Sequence, residues 1–535
     1  MWTVVFRPPF FPVTVVLLGN FVSLCGFVAI RYQSRLISGL SWRWKAIWFY
    51  EFPKARTRVL IVGAGEAGQM LAMQLQHRFP NTESAYEIVG FIDDDAGKQG
   101  MYVEGCRVLG TREDIVRLAD AHNIDLIVVA MHNISGTNFR QILERCETTK
   151  ARIKVTPNVF ALMDAKQSQS DLRDVQPEDL LGRSLVSRHE TVDLSPVMGK
   201  TILITGAAGS IGSELSRQLC SYQPVKLILL DSNESNLHDL VIELSARYPK
   251  IDLTAHLGDI TLRESLVPIF RQHRPQVVFH AAAYKHVPLL QTFPQEAVRV
   301  NVGGTHNVAY LACEYGVERF VLISSDKAVN PTSVMGATKR ICEMLIQAIS
   351  QECNYSTLFT AVRFGNVLGS RGSVVPTFMR QINSGGPVTV TDPEMTRYFM
   401  SVQEAVNLVI HAACITQGNE IFLLKMGEVV KILDLAERMI RIRGMRPYKD
   451  IEIKFTGIRP GEKLHEQLYD GSAESATETS HPGIIQLNYP DKHYRPSELL
   501  AWVDCLLQRG VDNEKALDEL RWGLTPSEQY AVENL

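Results

Sequence analysis

Thr201-Ile202-Leu203-Ile204-Thr205-Gly206-Ala207-Ala208-Gly209-Ser210-Ile211-Gly212 is the stretch that decides the fold. Thr201 to Thr205 reads as a buried strand, and Ser213 to Cys220 reads as a helix. Between them lies a G-x-x-G-x-x-G turn. Its glycines let the backbone close on a pyrophosphate, which the free amides and the positive end of the helix then hold. A second strand, Lys226 to Leu230, ends in Asp231, nineteen residues past Gly212. A carboxylate there accepts from ribose hydroxyls and repels a 2′-phosphate, so NAD is expected over NADP. Gly206, Gly209, Ser210, Ile211, Gly212 and Asp231 are the expected cofactor residues; glycines kept for packing alone are the competing reading.

Working outward, Gly258-Asp259-Ile260 is expected beside an adenine, with Asp259 and Ile260 in contact. Val277 to His280 is the next strand, and Ala281, Ala282 and Ala283 let a cofactor lie against the backbone. Tyr284-Lys285-His286 brings polar groups to that strand end, and Asn301 and Thr305 open a helix beneath. His280 and His286 read as satisfied structural residues. The apolar run Phe320 to Ile323 then leads into Ser324-Ser325-Asp326-Lys327, followed by Met335-Gly336-Ala337-Thr338-Lys339. Ligands bind at strand ends of open α/β sheets. Met335 and Lys339 are one helical turn apart and share a face. A carboxyl, an amine and a second lysine are thus expected to converge on one cleft; the ordinary alternative is a structural ion pair.

The chain has 535 residues, enough for about three domains. Its net charge of -3 and lack of a basic stripe give no sign of nucleic-acid binding. Nine scattered cysteines without a CxxC pair argue against zinc or a disulfide framework, so no metal is expected. Val13 to Ile30 is uncharged and long enough to cross a bilayer; a signal peptide or a buried helix are the other readings. Arg31, Arg35, Arg43 and Lys45 follow it, which places the rest of the chain in the cytoplasm, and Trp42 to Tyr50 forms an interfacial aromatic cluster. Residues 1–50 are thus expected to be a membrane anchor and juxtamembrane segment.

A second nucleotide-type fold is expected over 56–162. Arg58 to Val62 runs into Gly63-Ala64-Gly65-Glu66-Ala67-Gly68, and the strand Ile88 to Ile92 ends in Asp93-Asp94-Asp95. Ile124 to Ala130 is a further strand. No catalytic constellation is visible in it, and a working nucleotide site and a degenerate one are equally open. Residues 163–199 read as a linker and 200–535 as the catalytic domain. The fold class is therefore α/β: a membrane helix, then two Rossmann-like doubly wound domains, the second carrying a small C-terminal substrate lobe.

TGAAGSIG, GDI, HAAAYKHVP, N-x-x-G-T, SSDKA, M-G-A-T-K, RFGNVLGSRGSVVP and IRPGEKLHE together resemble the extended short-chain dehydrogenase/reductases. Within them the chain is similar to the membrane-bound UDP-N-acetylglucosamine 4,6-dehydratases of bacterial surface-glycan synthesis. That group typically has about four membrane spans where this chain shows one. Met335 stands where the wider superfamily has a proton-accepting tyrosine; a thioether cannot replace it. The membrane-bound branch is similar in having Met there, so Met335 is read as a branch marker, pointing to retention at C5.

The resemblance implies NAD as cofactor, a UDP-sugar as substrate, a homo-oligomer and the bacterial inner membrane as location. It implies an internal redox in which C4 is oxidised, water is lost across C5 and C6, and C6 is reduced. Asp326 would protonate the C6 hydroxyl, and Lys327 would take the C5 proton, which calls for a depressed amine pKa. Ser325 would bond the C4 oxygen, Lys339 would hold the nicotinamide ribose, and Ser324 and Lys285 would line the cofactor. Asn366, Ser373, Val374, Arg397, Arg459 and Glu462, with Lys285, would meet the substrate, the arginines suiting its diphosphate. Residues 470–482 read as an exposed loop. A nucleotide-sugar 4-epimerase and a non-catalytic nucleotide-binding scaffold are the alternatives.

Overall fold

The computed structural model describes residues 18–24, 26–27, 57–77, 86–131, 136–156, 173–174, 192–352, 356–488 and 495–522. The expected membrane segment therefore lies largely outside the described residues, as do the Trp42 to Tyr50 cluster and most of the 163–199 linker. Residues 18–24 and 26–27 are helical, and Leu18, Phe21, Val22, Leu24 and Phe27 are exposed. Among the described residues, no helix is long and apolar enough to cross a membrane.

The chain divides into two compact units, Met1–Met131 and His132–Leu535. Within the second unit, Arg438 Nη2 lies 3.1 Å from Glu144 Oε1 of the helix Gly136–Glu147.

In the first unit, β1 (Thr57–Val62) pairs in parallel with β2 (Tyr86–Ile92) and β5 (Leu126–Val129). With β3 (Tyr102–Val103) and β4 (Cys106–Gly110) the order is β3-β4-β2-β1-β5. A Cβ on Gly68 would fall 1.9 Å from Gly63 O, so close helix-to-strand packing alone demands that glycine. Asp93 accepts from Ala64 N at 2.8 Å, Asp95 N at 3.0 Å and Lys98 Nζ at 3.1 Å. Its carboxylate is engaged within the protein.

The second unit is built on a nine-stranded sheet. Its strands include β6 (Thr201–Thr205), β7 (Lys226–Asp231), β8 (Asp252–Leu257), β9 (Val277–His280), β10 (Arg319–Ile323) and β11 (Leu358–Arg363). Beyond these come β12 (Asn366–Leu368), β13 (Thr396–Ser401), β14 (Glu420–Leu424), β15 (Val429–Lys431), β16 (Ser475–Glu478) and β17 (Ile484–Asn488). The sheet order is β8-β7-β6-β9-β10-β11-β14-β17-β16, parallel through β14 and antiparallel beyond. The order reverses between β6 and β9, which is where such sheets open a ligand crevice. Strand alternation builds two cores: Phe320 and Leu322 join one cluster, Val321 and Ile323 the other. β12, β13 and β15 form a small separate sheet.

The helix Val334–Glu352 is buried on nearly every side. Leu499, Val503 and Leu506 of the helix Pro496–Arg509, and Ala516 and Leu520 of the helix Ala516–Trp522, share its apolar cluster.

The segment expected to be an exposed loop at 470–482 contains β16 and a buried carboxylate. Glu474 lies 2.8 Å from Arg363 Nη1, while Arg363 Nε and Nη2 each lie 2.7 Å from Glu343. Arg363 and Glu343 are both fully buried. Most of its residues are exposed, but a buried cation claims Glu474, and His481 is buried against His411 at 2.9 Å. Burial alone would raise the Glu343 pKa; Arg363, Arg340 and the Ser324 hydroxyl outweigh it and hold the carboxyl below its ordinary value. His280 bonds Thr205 at 2.7 Å and Thr305 at 3.0 Å, and burial, with Lys339 nearby, pushes its pKa down to about 3.

Both shifts give the same sign. Between 6.5 and about 3 the unfolded chain binds a proton at His280 that the native state refuses. Glu343 contributes stability above its unfolded pKa and loses it as pH falls through the lower folded one. Stability is therefore expected to fall steadily on acidification from neutrality; thermal melts that stay level down to about pH 4 would contradict this.

Candidate active site

β6 runs into the glycine turn and the helix Ser210–Ser221, which begins three residues earlier than the sequence suggested, with Gly209 as its N-cap. Gly206 has φ +67, and a Cβ there would meet Ala282 N at 2.6 Å; one on Gly212 would lie 2.1 Å from Gly206 O. Asp231 accepts from Ala208 N and Asn233 N, both at 2.8 Å, and so ties the second strand end to the turn. Asp259 accepts from Thr261 N at 2.9 Å. Ser210 Oγ accepts from Arg371 N at 3.2 Å, and Ile211 is partly buried. Ala281 N donates to Thr205 O at 3.1 Å, keeping that strand end narrow, while Lys285 is exposed and Ile260 buried.

Asn301 does not open onto a ligand. Its Oδ1 accepts from Tyr284 N at 2.8 Å, and its Nδ2 donates to Tyr284 O and to Thr338 Oγ1, both at 3.1 Å. It fixes the loop over the crevice. The turn, the helix start and Asp231 nonetheless fit a dinucleotide: the backbone approach is one that only glycine permits, at the switch point of the sheet. Gly212→Ala is expected to weaken dinucleotide binding by about tenfold to 100-fold, as an overpacked site would. Nucleotide released from acid-denatured protein measures this; an undiminished yield would contradict it.

At the tip of β10, Ser324 N bonds Val362 O at 2.8 Å and Asp326 N bonds Phe364 O at 3.1 Å, so the chain follows β11 before turning through Asp326–Ala328. Ser325 Oγ donates to Asp326 Oδ1 at 2.8 Å, and Lys327 Nζ lies 3.1 Å from the same oxygen. Lys327 Nζ also reaches Asn366 Oδ1 at 3.4 Å and Glu466 Oε1 at 3.4 Å. The acid and the amine thus stand side by side, but unequally: the Asp326 side chain is 0% exposed and the Lys327 side chain 23%. The Asp326 carboxyl sits behind Ser325 and Lys327, with its Oδ2 facing Gly365.

The depressed amine is also corrected. Burial pulls Lys327 down, but the Asp326 and Glu466 carboxylates outweigh it and hold the ammonium above its ordinary value. Lys339 Nζ donates to Ile323 O at 2.9 Å, so the second lysine reaches the same strand tip through a backbone carbonyl. Met335 packs into the apolar cluster and Ser324 Oγ donates to Glu343 at 2.6 Å; neither side chain joins the acid–amine pair.

Of the expected substrate residues, Ser373 caps the helix Val374–Asn383, Asn366 touches Lys327, and Arg459 is exposed. Arg397 is buried, with Nη1 donating to Thr396 O at 2.7 Å and Leu464 O at 3.0 Å. It clamps the 464–466 segment to β13 rather than presenting that nitrogen to a phosphate. Among the described residues, nine buried side-chain atoms lack a hydrogen-bond partner; four are Asp326 Oδ2, Ser373 Oγ, Glu462 Oε2 and Glu466 Oε2. Such atoms are rare and mark places with a task.

Glu466 was missed by sequence reasoning. Ile458 to Glu466 carries Arg459, Glu462, Lys463 and Glu466, and spacing alone does not say which turns inward. In the fold Asp326, Glu466 and Arg397 all act on Lys327, a grouping that the sequence does not display.

Residues 202–489 match the family described as polysaccharide biosynthesis protein, and residues 3–157 match a CoA-binding domain. The chain belongs to that polysaccharide biosynthesis family, within the extended short-chain dehydrogenase/reductases. It is 43% identical to the capsular polysaccharide biosynthesis protein CapD of Staphylococcus aureus, over 83% of this chain and 74% of that one. It is 36% identical to a UDP-N-acetylglucosamine 4,6-dehydratase (inverting) of Campylobacter jejuni, over 50% of this chain and 77% of the relative. It is 38% identical to a UDP-glucose 4-epimerase of Rickettsia canadensis, over 50% of this chain and 77% of the relative. The enzyme class is thus nucleotide-sugar dehydratase or epimerase.

Proposed function

We propose that the chain is a NAD-dependent UDP-N-acetylhexosamine 4,6-dehydratase acting on UDP-GlcNAc for surface-glycan synthesis. The observation that carries this is the pairing of Asp326 and Lys327 at one strand tip, 3.1 Å apart. Epimerisation at C4 has no leaving group to protonate and no use for such a pair; dehydration needs both an acid and a base. The same reading makes the protein a homo-oligomer anchored through 13–30 in a bacterial inner membrane, its catalytic unit in the cytoplasm. Retention at C5 is proposed from Met335.

Gly206, Gly209, Gly212 and Asp231 would hold the dinucleotide and Lys339 its nicotinamide ribose. Bound there, it supplies reversible hydride storage. Ser325 bonds the C4 oxygen. Lys327, the more open of the pair, takes the C5 proton. Asp326 protonates the C6 hydroxyl through Ser325 Oγ, since its own carboxyl is closed off. Asn366, Ser373 and Val374 face the diphosphate, and Arg459 and Glu462 the nucleotide end.

Incubating the purified protein with UDP-GlcNAc is expected to give a 4-keto-6-deoxy product without net NADH. A C4 epimer in its place would establish the epimerase, and unchanged UDP-GlcNAc, with UDP-GalNAc inert as well, a binding protein.

A further inference from the structure

We propose that Glu466 is a proton store for this site: as the proton of the sugar C4 hydroxyl passes to Asp326 by way of Ser325 Oγ, Glu466 takes the proton of the Lys327 ammonium, and it returns that proton to Lys327 at the end of the cycle. This rests on the dehydratase reading above.

Oxidation at C4 releases the hydroxyl proton. Loss of water then requires Asp326 protonated and Lys327 neutral at the same moment. If Lys327 kept the C4 proton it would be an ammonium and could take nothing from C5. If Asp326 took it, Asp326 would need to have begun ionised, beside a Lys327 whose own proton still needed a place. A third site is required. Met335 has no group that accepts a proton, and Ser325 Oγ is already donating to Asp326.

Glu466 meets the requirement by position. Its side chain is 2% exposed, its Oε1 lies 3.4 Å from Lys327 Nζ, and its Oε2 is buried without a partner. The distance is that of a contact that shortens when substrate closes the site. The backbone aims it: Thr396 N bonds Leu464 O at 3.1 Å, and Thr396 Oγ1 bonds His465 Nδ1 at 2.8 Å. The charged groups facing it are Lys327 and Asp326 from the strand tip, Arg397 from β13, and Lys463, whose Nζ bonds Val329 O at 2.6 Å. Once Asp326 has taken the C4 proton, Glu466 is the carboxylate that still faces the Lys327 ammonium, at 3.4 Å. A Lys327 N–H then breaks and an O–H forms on Glu466 Oε1, which turns a buried ion pair into two neutral groups.

The balance closes. The C5 proton goes to Lys327 and returns to C5. The electron pair lost at C4 is regained at C6. The C4 hydroxyl proton, carried by Asp326, departs in the water, and the proton stored on Glu466 returns to Lys327, which restores an ammonium between two carboxylates.

Glu466 acts through Lys327, so it is a positioning residue, and the test needs more than a rate. Glu466→Gln keeps shape and polarity but stores no proton. With UDP-GlcNAc, kcat at neutral pH is expected to fall about 100-fold with KM changed by less than about threefold. The lost kcat should recover about tenfold per pH unit on the alkaline side, because Lys327 must then shed its proton to solvent, whereas wild-type kcat stays level there. Solvent deuterium entering C5 should follow kcat. Glu466→Asp should restore most of the activity and the level profile. The proposal is overturned if Glu466→Gln keeps kcat within about threefold and the wild-type pH profile. Should Glu466→Gln fail to fold, Glu466→Asp decides: a folded Asp variant that loses kcat by about 100-fold and does not regain it with alkali overturns the proposal. Wild-type protein that makes no 4-keto-6-deoxy product would instead sink the dehydratase reading, which keeps the two failures apart.

Discussion

Lys327→Ala is expected to lower turnover of UDP-GlcNAc by at least about 1000-fold, and to abolish entry of solvent deuterium at C5. The amine is the exposed member of the buried trio, and its ammonium is the cation that Asp326 and Glu466 share. Two effects must be separated. Alanine removes the base, and it leaves two buried carboxylates without their counter-charge, which costs stability. Lys327→Arg divides them. A guanidinium stays charged at all working pH and keeps the ion pairs, but accepts no proton. Arginine should therefore be as inactive as alanine while melting close to wild type. Deuterium exchange at C5 surviving in either variant would place the base elsewhere.

Arg363→Leu is expected to destabilise the second unit by about 3–5 kcal/mol, read from denaturant unfolding. Among the described residues Arg363 is the largest fully buried side chain, and its guanidinium serves Glu343 on one side and Glu474 on the other. Leucine takes the guanidinium away from both buried carboxylates, leaving Glu343 with Arg340 and Ser324 and Glu474 with the Asp470 amide. The converse experiment is informative. Changing Arg363, Glu343 and Glu474 together to apolar residues of similar volume should recover most of the loss, because the desolvation cost of all three charges disappears with them. A single Arg363→Leu within about 1 kcal/mol of wild type would mean that the two glutamates find other partners.

The parallel strands were legible because each is a short apolar run bounded by turn residues. Thr201–Thr205 and Val277–His280 fall where their sequences place them. The glycine turn was legible because close backbone approach leaves a mark in composition. The acid–amine pair was legible because its members are neighbours in the chain. Glu466 and Glu474 were not, since each is brought in by pairing far along the chain: Glu466 through Thr396, Glu474 through Arg363. Arg397 was read for its phosphate-binding chemistry, whereas two backbone carbonyls need it more. The raised amine of Lys327 follows from the same cause, since the second carboxylate beside it is 139 positions away (466 less 327).

The two closing helices bear on how the protein can be handled. The family match ends at residue 489, an inviting place to cut a shorter version for crystallisation. Such a cut would strip Leu499, Val503, Leu506, Ala516 and Leu520 from the flank of the helix that carries Lys339 and Glu343. A greasy strip would then face water directly behind Lys339, and the trimmed protein should clump rather than merely slow down.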